Sequence, residues 1–166
     1  MKNIDTKFLQ AELIRVSEWI KFADKKSGFL TAYYSVILGL LISQKEQLVA
    51  EFVNYQKYST CFFVIILICT FISFLVGLFF LLKSVLPRLK NSLTNKSLFY
   101  FGSIANMKFD DYSKEIENLA EDEIKKQIVE QIYTNSTIAD QKMKNVKKST
   151  IWLVVAIIFV TILNIF

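Results

Sequence analysis

The sequence predicts an all-α membrane protein with three transmembrane helices, two of them continuous with a helical cytoplasmic stalk. Hydrophobic residues make up 53% of the chain, more than one small soluble core needs. They are concentrated in three runs without a charged residue, at 28–43, 59–82 and 149–166. With only 4 glycines and 1 proline in 166 residues, long uninterrupted helices are expected.

The first helix is predicted to span 5–43, because no helix-breaking residue lies before Ser43. Its first half has apolar residues at alternating spacings of four and three, which is typical of a helix packed in a bundle or coiled-coil seam. These are Leu9, Leu13, Val16, Ile20 and Ala23. The charge-free run 28–43 has 16 residues, short for a span, but tilt and snorkelling of the flanking lysines can compensate.

The second and third spans are longer and clearer. Residues 59–82 are uncharged over 24 positions, enough to cross a hydrocarbon core of roughly 30 Å at about 1.5 Å per residue. Residues 149–166 are also uncharged. A pair of buried helices in a soluble core would be the alternative, and the absence of any charge disfavours it.

The stretch 83–148 between these spans is predicted to be polar and helical. Asp110 or Asp111 is expected to cap one helix, and a second is expected to begin near Glu121. The second carries apolar residues in register down to Val146, and no breaker separates it from the third span.

The distribution of basic residues predicts the topology. Lys and Arg number 6 before residue 29, 2 in the loop 44–58 and 12 between Lys83 and Lys148. By the positive-inside rule, residues 1–27 and 83–148 lie in the cytoplasm and the short loop 44–58 lies outside. That arrangement requires three crossings, so 28–43 crosses the membrane and the C-terminus is external.

Nothing in the sequence points to catalysis. There is no histidine, and the two cysteines, Cys61 and Cys69, lie within the second span, where they are expected to be small packing residues. The carboxylates occur in ordinary helical surface runs, which are more often solvated faces than acid–base pairs. We therefore expect no enzyme, no metal site and no cofactor.

Several polar residues lie on or beside the apolar stripes. Asn135 and Lys142 fall in register with the stripe of the last helix, and Asp24 adjoins Ala23 on the first. A buried polar group without a partner costs roughly 1–3 kcal/mol. Two interpretations stay open: an internal Asp–Lys/Asn network that sets helix register, or a pocket for an anionic ligand. The ligand or switch candidates are Arg15, Asp24, Lys25, Lys26, Asn135 and Lys142.

Within the spans, only small polar residues stand out. Thr31 and Ser35 lie one turn apart, and Ser73 and Gly77 form a small-xxx-small pair typical of close helix packing. These four are the pore or packing candidates. Since no charged residue lines a pathway, an ion-coupled pump is not expected, and a pore would need several subunits.

Three motifs together resemble a known family. "ADKKSGFL" before the first span resembles the Asp-x-Lys motif of the Pycsar effector transmembrane family. "LFYFGSIANMKFDDY" resembles its Phe-Gly-x-Ile/Phe-Ala element, and "QIYTNSTIADQKMKNVKKSTIWLV" resembles its final stretch before the last span. The motifs occur in the family's order over nearly the whole chain. One departure from the family pattern is the position after the first lysine motif, where the usual small residue is a serine here, Ser27.

The resemblance implies a membrane effector of bacterial anti-phage defence, located in the inner membrane, which disrupts that membrane in an infected cell. It implies a nucleotide signal made by a partner cyclase or nucleotidyltransferase, either a cyclic mononucleotide or a short single-stranded DNA. The lipid bilayer is the other partner, and a homo-oligomer is expected, with a tetramer as the working hypothesis. The alternatives are a membrane-anchored helical module that docks a cytoplasmic protein without conducting ions, and a small holin-like toxin that needs no ligand.

Overall fold

In the computed structural model, the described residues are 4–43, 57–86 and 97–163, together with Glu46 and Val49. Every regular element among them is a helix. The helices are α1 (Thr6–Ser43), α2 (Lys57–Val85), α3 (Phe101–Ile104), α4 (Phe109–Glu117) and α5 (Glu121–Leu163). Three of them, α1, α2 and α5, are long and apolar enough to cross a membrane. The predicted fold class is therefore confirmed.

The long helices have the extents that the absence of helix breakers predicts. α1 is a single helix of 38 residues and α5 a single helix of 43 residues, so each continues from a charged segment into a charge-free run. Most of the predicted loop 44–58 lies outside the described residues, as does the only proline, Pro87.

The chain forms two compact units. The polar unit comprises Met1–Phe22 and Pro87–Gln141, and the span unit comprises Ala23–Leu86 and Lys142–Phe166.

In the polar unit, the described core includes the buried residues Leu9, Leu98 and Ile128. The backbone N–H of Leu98 donates to Oε1 of the buried Gln127 at 3.0 Å, which fixes the segment before α3 against α5. This contact satisfies a buried backbone donor that no helix could pair.

The start of α4 corrects one expectation. Neither Asp110 nor Asp111 caps this helix: Lys108 holds the N-cap position, without a side-chain capping bond. Both aspartates lie inside the first turn, where their negative charge interacts favourably with the helix dipole.

The first turn of α5 carries an ion pair in the polar unit. Lys125 Nζ lies 2.8 Å from Glu121 Oε1, one turn away. The hydrogen bond from Lys125 lowers the pKa of Glu121, and the same bond raises the pKa of Lys125. Thr6, at the start of α1, also lowers the pKa of Glu121.

In the span unit, α1 and α5 run parallel and α2 runs antiparallel to both. Contacts of α1 further along the chain are made with residues further along α5 and with earlier residues of α2. The three helices bury one shared cluster of side chains, formed by Leu30, Tyr34, Phe74, Leu81, Val146, Leu153 and Ala156.

A second cluster of the span unit is formed by α2 and α5. Its buried members are Phe63, Ile66 and Leu163, with Phe159 and Ile162 packed against them. It contains no residue of α1, and most of α1 beyond Ile37 is exposed among the described residues.

Candidate functional site

Three polar contacts between helices lie in succession along the span unit, and we call them the polar ladder. The first is an ion pair in which Lys142 Nζ donates to Asp24 Oδ1, joining α5 to α1. The lysine side chain is 10% exposed and the aspartate side chain 48%. The ammonium group is therefore largely withdrawn from solvent, while its carboxylate partner can still be reached from water.

The second contact joins α1 to α2. The hydroxyls of Ser27 and Ser84 lie 2.9 Å apart, and both serines are almost completely buried, at 1% and 0% exposed. Ser27 also donates to the carbonyl of Ala23 at 3.0 Å. Since a hydroxyl has one proton, Ser84 is the donor between the two serines.

The third contact joins α1 to α5 within the shared core. Tyr34 donates its hydroxyl proton to the carbonyl of Ser149 at 3.1 Å, and the Ser149 hydroxyl donates back to the Tyr34 oxygen at 3.3 Å. Gly77 on α2 leaves the space for this phenol: a Cβ at Gly77 would lie 1.9 Å from the Tyr34 hydroxyl oxygen.

Three serines of the ladder share a pattern that the sequence reasoning missed. Each directly follows a lysine at the end of a charge-free run: Lys26–Ser27, Lys83–Ser84 and Lys148–Ser149. The lysines are exposed, whereas each of the three serines is at most 1% exposed. A small residue lets helix backbones approach closely, and the preceding lysine reaches out to water. The repeated Lys-Ser pair was the signal that could have located this layer.

Of the six ligand or switch candidates, the structure brings Asp24 and Lys142 together. Lys25 and Lys26 are exposed on α1 in the span unit. In the polar unit, Arg15 is exposed and paired with Glu12 one turn earlier. Asn135 is half-buried on α5 in the same unit.

Two of the four pore or packing candidates are exposed and two are buried in the span unit. Thr31 and Ser35 are exposed, and each hydroxyl donates at 2.9 Å to the carbonyl four residues earlier in α1. Ser73 is 3% exposed and Gly77 is buried, so both face the other helices.

Potential metal ligands do not cluster in the described part of the chain. No group of three or more His, Cys, Asp or Glu side chains among those residues could hold a metal ion. The two cysteines are free thiols, Cys61 exposed and Cys69 half-buried.

Comparison with known proteins gives a match over nearly the full length. The chain is similar to the Pycsar effector protein GmPycTM of Gulbenkiania mobilis, with 23% identity over 175 residues, covering 92% of this chain and 87% of that protein. No solved structure matches. The family profile of the Pycsar effector protein domain matches residues 8–166, from the first turns of α1 through α2 and α5. The chain therefore belongs to the Pycsar effector transmembrane family.

Proposed function

We propose that this protein is a nucleotide-controlled membrane effector of bacterial anti-phage defence. Family membership and three apolar helices support the general role of a defence effector in a membrane. The specific proposal is that an anionic nucleotide changes the packing of α1 against α5. One observation carries it: the Asp24–Lys142 ion pair joins these helices just before each enters its charge-free run.

The exposure of the two side chains favours an exchange of anions. A nucleotide phosphate approaching from solvent reaches the half-exposed Asp24 first and competes with its carboxylate for the ammonium group of Lys142. Removing one partner of a buried ion pair is costly, but an incoming phosphate supplies a replacement charge. Lys25 and Lys26, next to Asp24 on α1, add positive charge that attracts the phosphate.

This exchange would couple ligand binding to the spans. The phosphate takes the place of an acceptor fixed on α1, so the bound state has lost a direct link between α1 and α5. A ligand shifts such an equilibrium only by its differential affinity for the two packings. Because α1 and α5 continue as helices into the spans, the change at Asp24 is passed on without an intervening loop. For Arg15 and Asn135, which lie in the polar unit, a role in ligand binding or switching stays a prediction.

Membrane disruption would require several copies. Within the described parts of the charge-free runs a single chain offers no charged side chain, and Thr31 and Ser35 lie on its exposed surface. Phe8, Trp19 and Phe22 recur on one face of the charged part of α1 and are 58%, 54% and 42% exposed. Exposed aromatic side chains outside the spans favour assembly with further copies, for which a tetramer is the working hypothesis. The lysine distribution supports a cytoplasmic N-terminus and an external C-terminus in the inner membrane.

The same exposed face favours a second function of a different class. A membrane-anchored module that docks a cytoplasmic protein through Phe8, Trp19 and Phe22 would need no ion pathway. The two functions are distinguished by ion flux across liposomes that contain only the purified protein. Flux that depends on nucleotide supports the effector, whereas liposomes that stay impermeable to ions with and without nucleotide support the docking module.

The anion exchange is tested with Asp24→Asn, Lys142→Gln and the double charge swap Asp24→Lys/Lys142→Asp. Ion flux and the melting temperature are measured with cyclic UMP, cyclic CMP and short single-stranded DNA. We expect one class of nucleotide to act on the unmodified protein. Each single variant should be destabilised by about 1–3 kcal/mol, as expected when a partly buried charge loses its partner.

The charge swap separates stability from signalling. It keeps an ion pair, so the melting temperature should recover at least half of the loss, but it removes the sequestered cation, so the nucleotide response should stay at least tenfold weaker. The control is Lys21→Gln, which removes one positive charge, as Lys142→Gln does, but from an exposed position of α1. A swapped protein with the full nucleotide response would show that Lys142 does not receive the phosphate.

A further inference from the structure

A groove runs between α1 and α5 on the outside of the span unit. Its volume is about 650 Å³, within the roughly 300–1,000 Å³ typical of ligand pockets. Its wall is mainly apolar and includes Phe29, Leu30 and Ile151. None of the residues that line it is acidic, and three of them are lysines: Lys26, Lys144 and Lys147.

The lysines lie at one end of this groove. Lys26 precedes Phe29 and Leu30 on α1, and Lys144 and Lys147 precede Ile151 on α5. Because α1 and α5 run parallel in the span unit, all three ammonium groups belong to the end where the charge-free runs begin. The groove is therefore basic at the membrane surface and apolar at the depth of the acyl chains.

We propose that this groove binds an anionic phospholipid. The headgroup phosphate pairs with Lys26, Lys144 and Lys147, and an acyl chain lies along Phe29, Leu30 and Ile151. Basic pockets between transmembrane helices recognise anionic headgroups in this way. The proposal goes beyond the nucleotide-controlled function and needs no nucleotide. Lys26, which adds positive charge beside Asp24 in the proposed function, would here contact the headgroup phosphate directly.

The composition of the wall decides between a lipid and a free phosphate compound. A soluble phosphate compound would use the lysines but leave the apolar wall unoccupied. Two of the wall residues are nevertheless open to the surroundings, Phe29 at 72% and Ile151 at 51% exposed. In a bilayer, lipids cover every face that no second copy of the chain occupies, and a lining with three lysines and no acidic residue favours an anionic headgroup.

The first experiment measures the melting temperature of the full chain in nanodiscs of phosphatidylcholine, with and without phosphatidylglycerol of the same acyl chains. Phosphatidylglycerol should raise the melting temperature by about 5 °C, the order expected for a ligand well above its Kd. The gain should shrink at high salt, since it depends on phosphate–lysine pairs. No difference between the two lipids would overturn the proposal.

A triple variant locates the effect. Lys26→Gln/Lys144→Gln/Lys147→Gln should lose most of the gain from phosphatidylglycerol and retain at least tenfold less of this lipid in native mass spectrometry. Lys7→Gln/Lys21→Gln/Lys126→Gln removes the same charge from exposed positions of the polar unit and should keep both. Equal losses in the two triple variants would mean diffuse attraction to the membrane surface and would overturn a defined site.

A third variant tests the apolar wall while all lysines stay in place. It keeps the proposal testable if the triple lysine variant does not fold. Ile151→Trp adds bulk to an exposed wall position and should reduce retained phosphatidylglycerol several-fold. Glycerol phosphate, which lacks acyl chains, should leave the melting temperature unchanged. An equal shift with glycerol phosphate would assign the site to a free phosphate compound, and a mass change to a smaller oligomer in the triple variant would assign it to a second copy of this chain.

Discussion

Among the four glycines, Gly77 is the one where an added Cβ would meet the nearest atom. The Cβ of Gly77→Ala would lie 1.9 Å from the Tyr34 hydroxyl oxygen and 3.1 Å from Trp152 Cβ. The phenol cannot simply swing aside, because Tyr34 is 2% exposed and its ring packs edge-on against Phe74 at 5.2 Å. The substitution therefore displaces Tyr34 from Ser149 and breaks the third contact of the polar ladder.

The magnitude follows from three contributions. Two hydrogen bonds between Tyr34 and Ser149 are lost, and such bonds contribute about 0.6 kcal/mol each on average inside a membrane protein. Overpacking a closely packed site costs typically 1–3 kcal/mol. Alanine regains about 1 kcal/mol over glycine within a helix. The net destabilisation is about 2 kcal/mol, or roughly 4–8 °C in melting temperature for a chain of this size.

The assay is thermal unfolding of the detergent-purified protein, with Gly39→Ala as the matched control. A Cβ at Gly39 meets nothing within 4 Å, so this variant should be neutral or up to about 1 kcal/mol more stable. Tyr34→Phe removes the clashing oxygen. In the Gly77→Ala/Tyr34→Phe double variant, the loss should be smaller than the sum of the two single losses by about 1 kcal/mol or more.

Equal melting temperatures for Gly77→Ala and Gly39→Ala would refute the reasoning. They would mean that α2 does not approach α1 and α5 as closely as the Tyr34 contact requires. Strict additivity in the double variant would refute the narrower point, that the hydroxyl oxygen is the obstacle.

Two further predictions concern a buried and an exposed contact. Ser84→Ala should lower the free energy of unfolding by only about 0.5–1 kcal/mol, because Ser27 keeps its acceptor on Ala23. Ser84→Leu overfills a site that is 0% exposed and should be clearly more destabilising in thermal unfolding. Equal losses for the two variants would contradict the close approach of α1 and α2. For Glu121, whose pKa is lowered from its ordinary value of 4.5 by the bond from Lys125, the stabilisation is present above pH 4.5 and is lost as the pH falls through the lowered value. The melting-temperature difference between the unmodified protein and Glu121→Gln should therefore shrink on acidification below pH 4.5, and a constant difference would contradict the assignment.

The helices could be predicted because their signals are local. Apolar spacing and charge-free length are read along one stretch of chain, and they predict α1 and α5 as unbroken helices through Lys26 and Lys148. The same approach misplaced the start of α4: Asp110 and Asp111 are good capping residues, but the helix begins at Phe109, so both lie within its first turn.

The partners within the site could not be predicted in the same way. Asp24 and Lys142 were both candidates, but they are 118 residues apart, and only the rotation and register of two helices bring them together. The contacts of Tyr34 with Ser149, and of Ser27 with Ser84, depend on the same packing. Serine inside a span is too common to indicate burial alone, although the repeated Lys-Ser pair indicates it here.

The buried Ser27–Ser84 contact also determines how movement would be distributed within the bundle. Both serines are almost completely buried and hydrogen-bonded to each other, so a tilt of α1 relative to α2 that keeps this contact would turn about this point, the pivot. Ser43 lies 16 residues beyond Ser27, about 24 Å along the helix at about 1.5 Å per residue. A tilt of about 10° about the pivot would carry the far end of α1 through roughly 4 Å by this geometry. A tilt that is small enough to keep the serine contact would therefore move the opposite end of α1, across the bilayer, by about the width of a side chain.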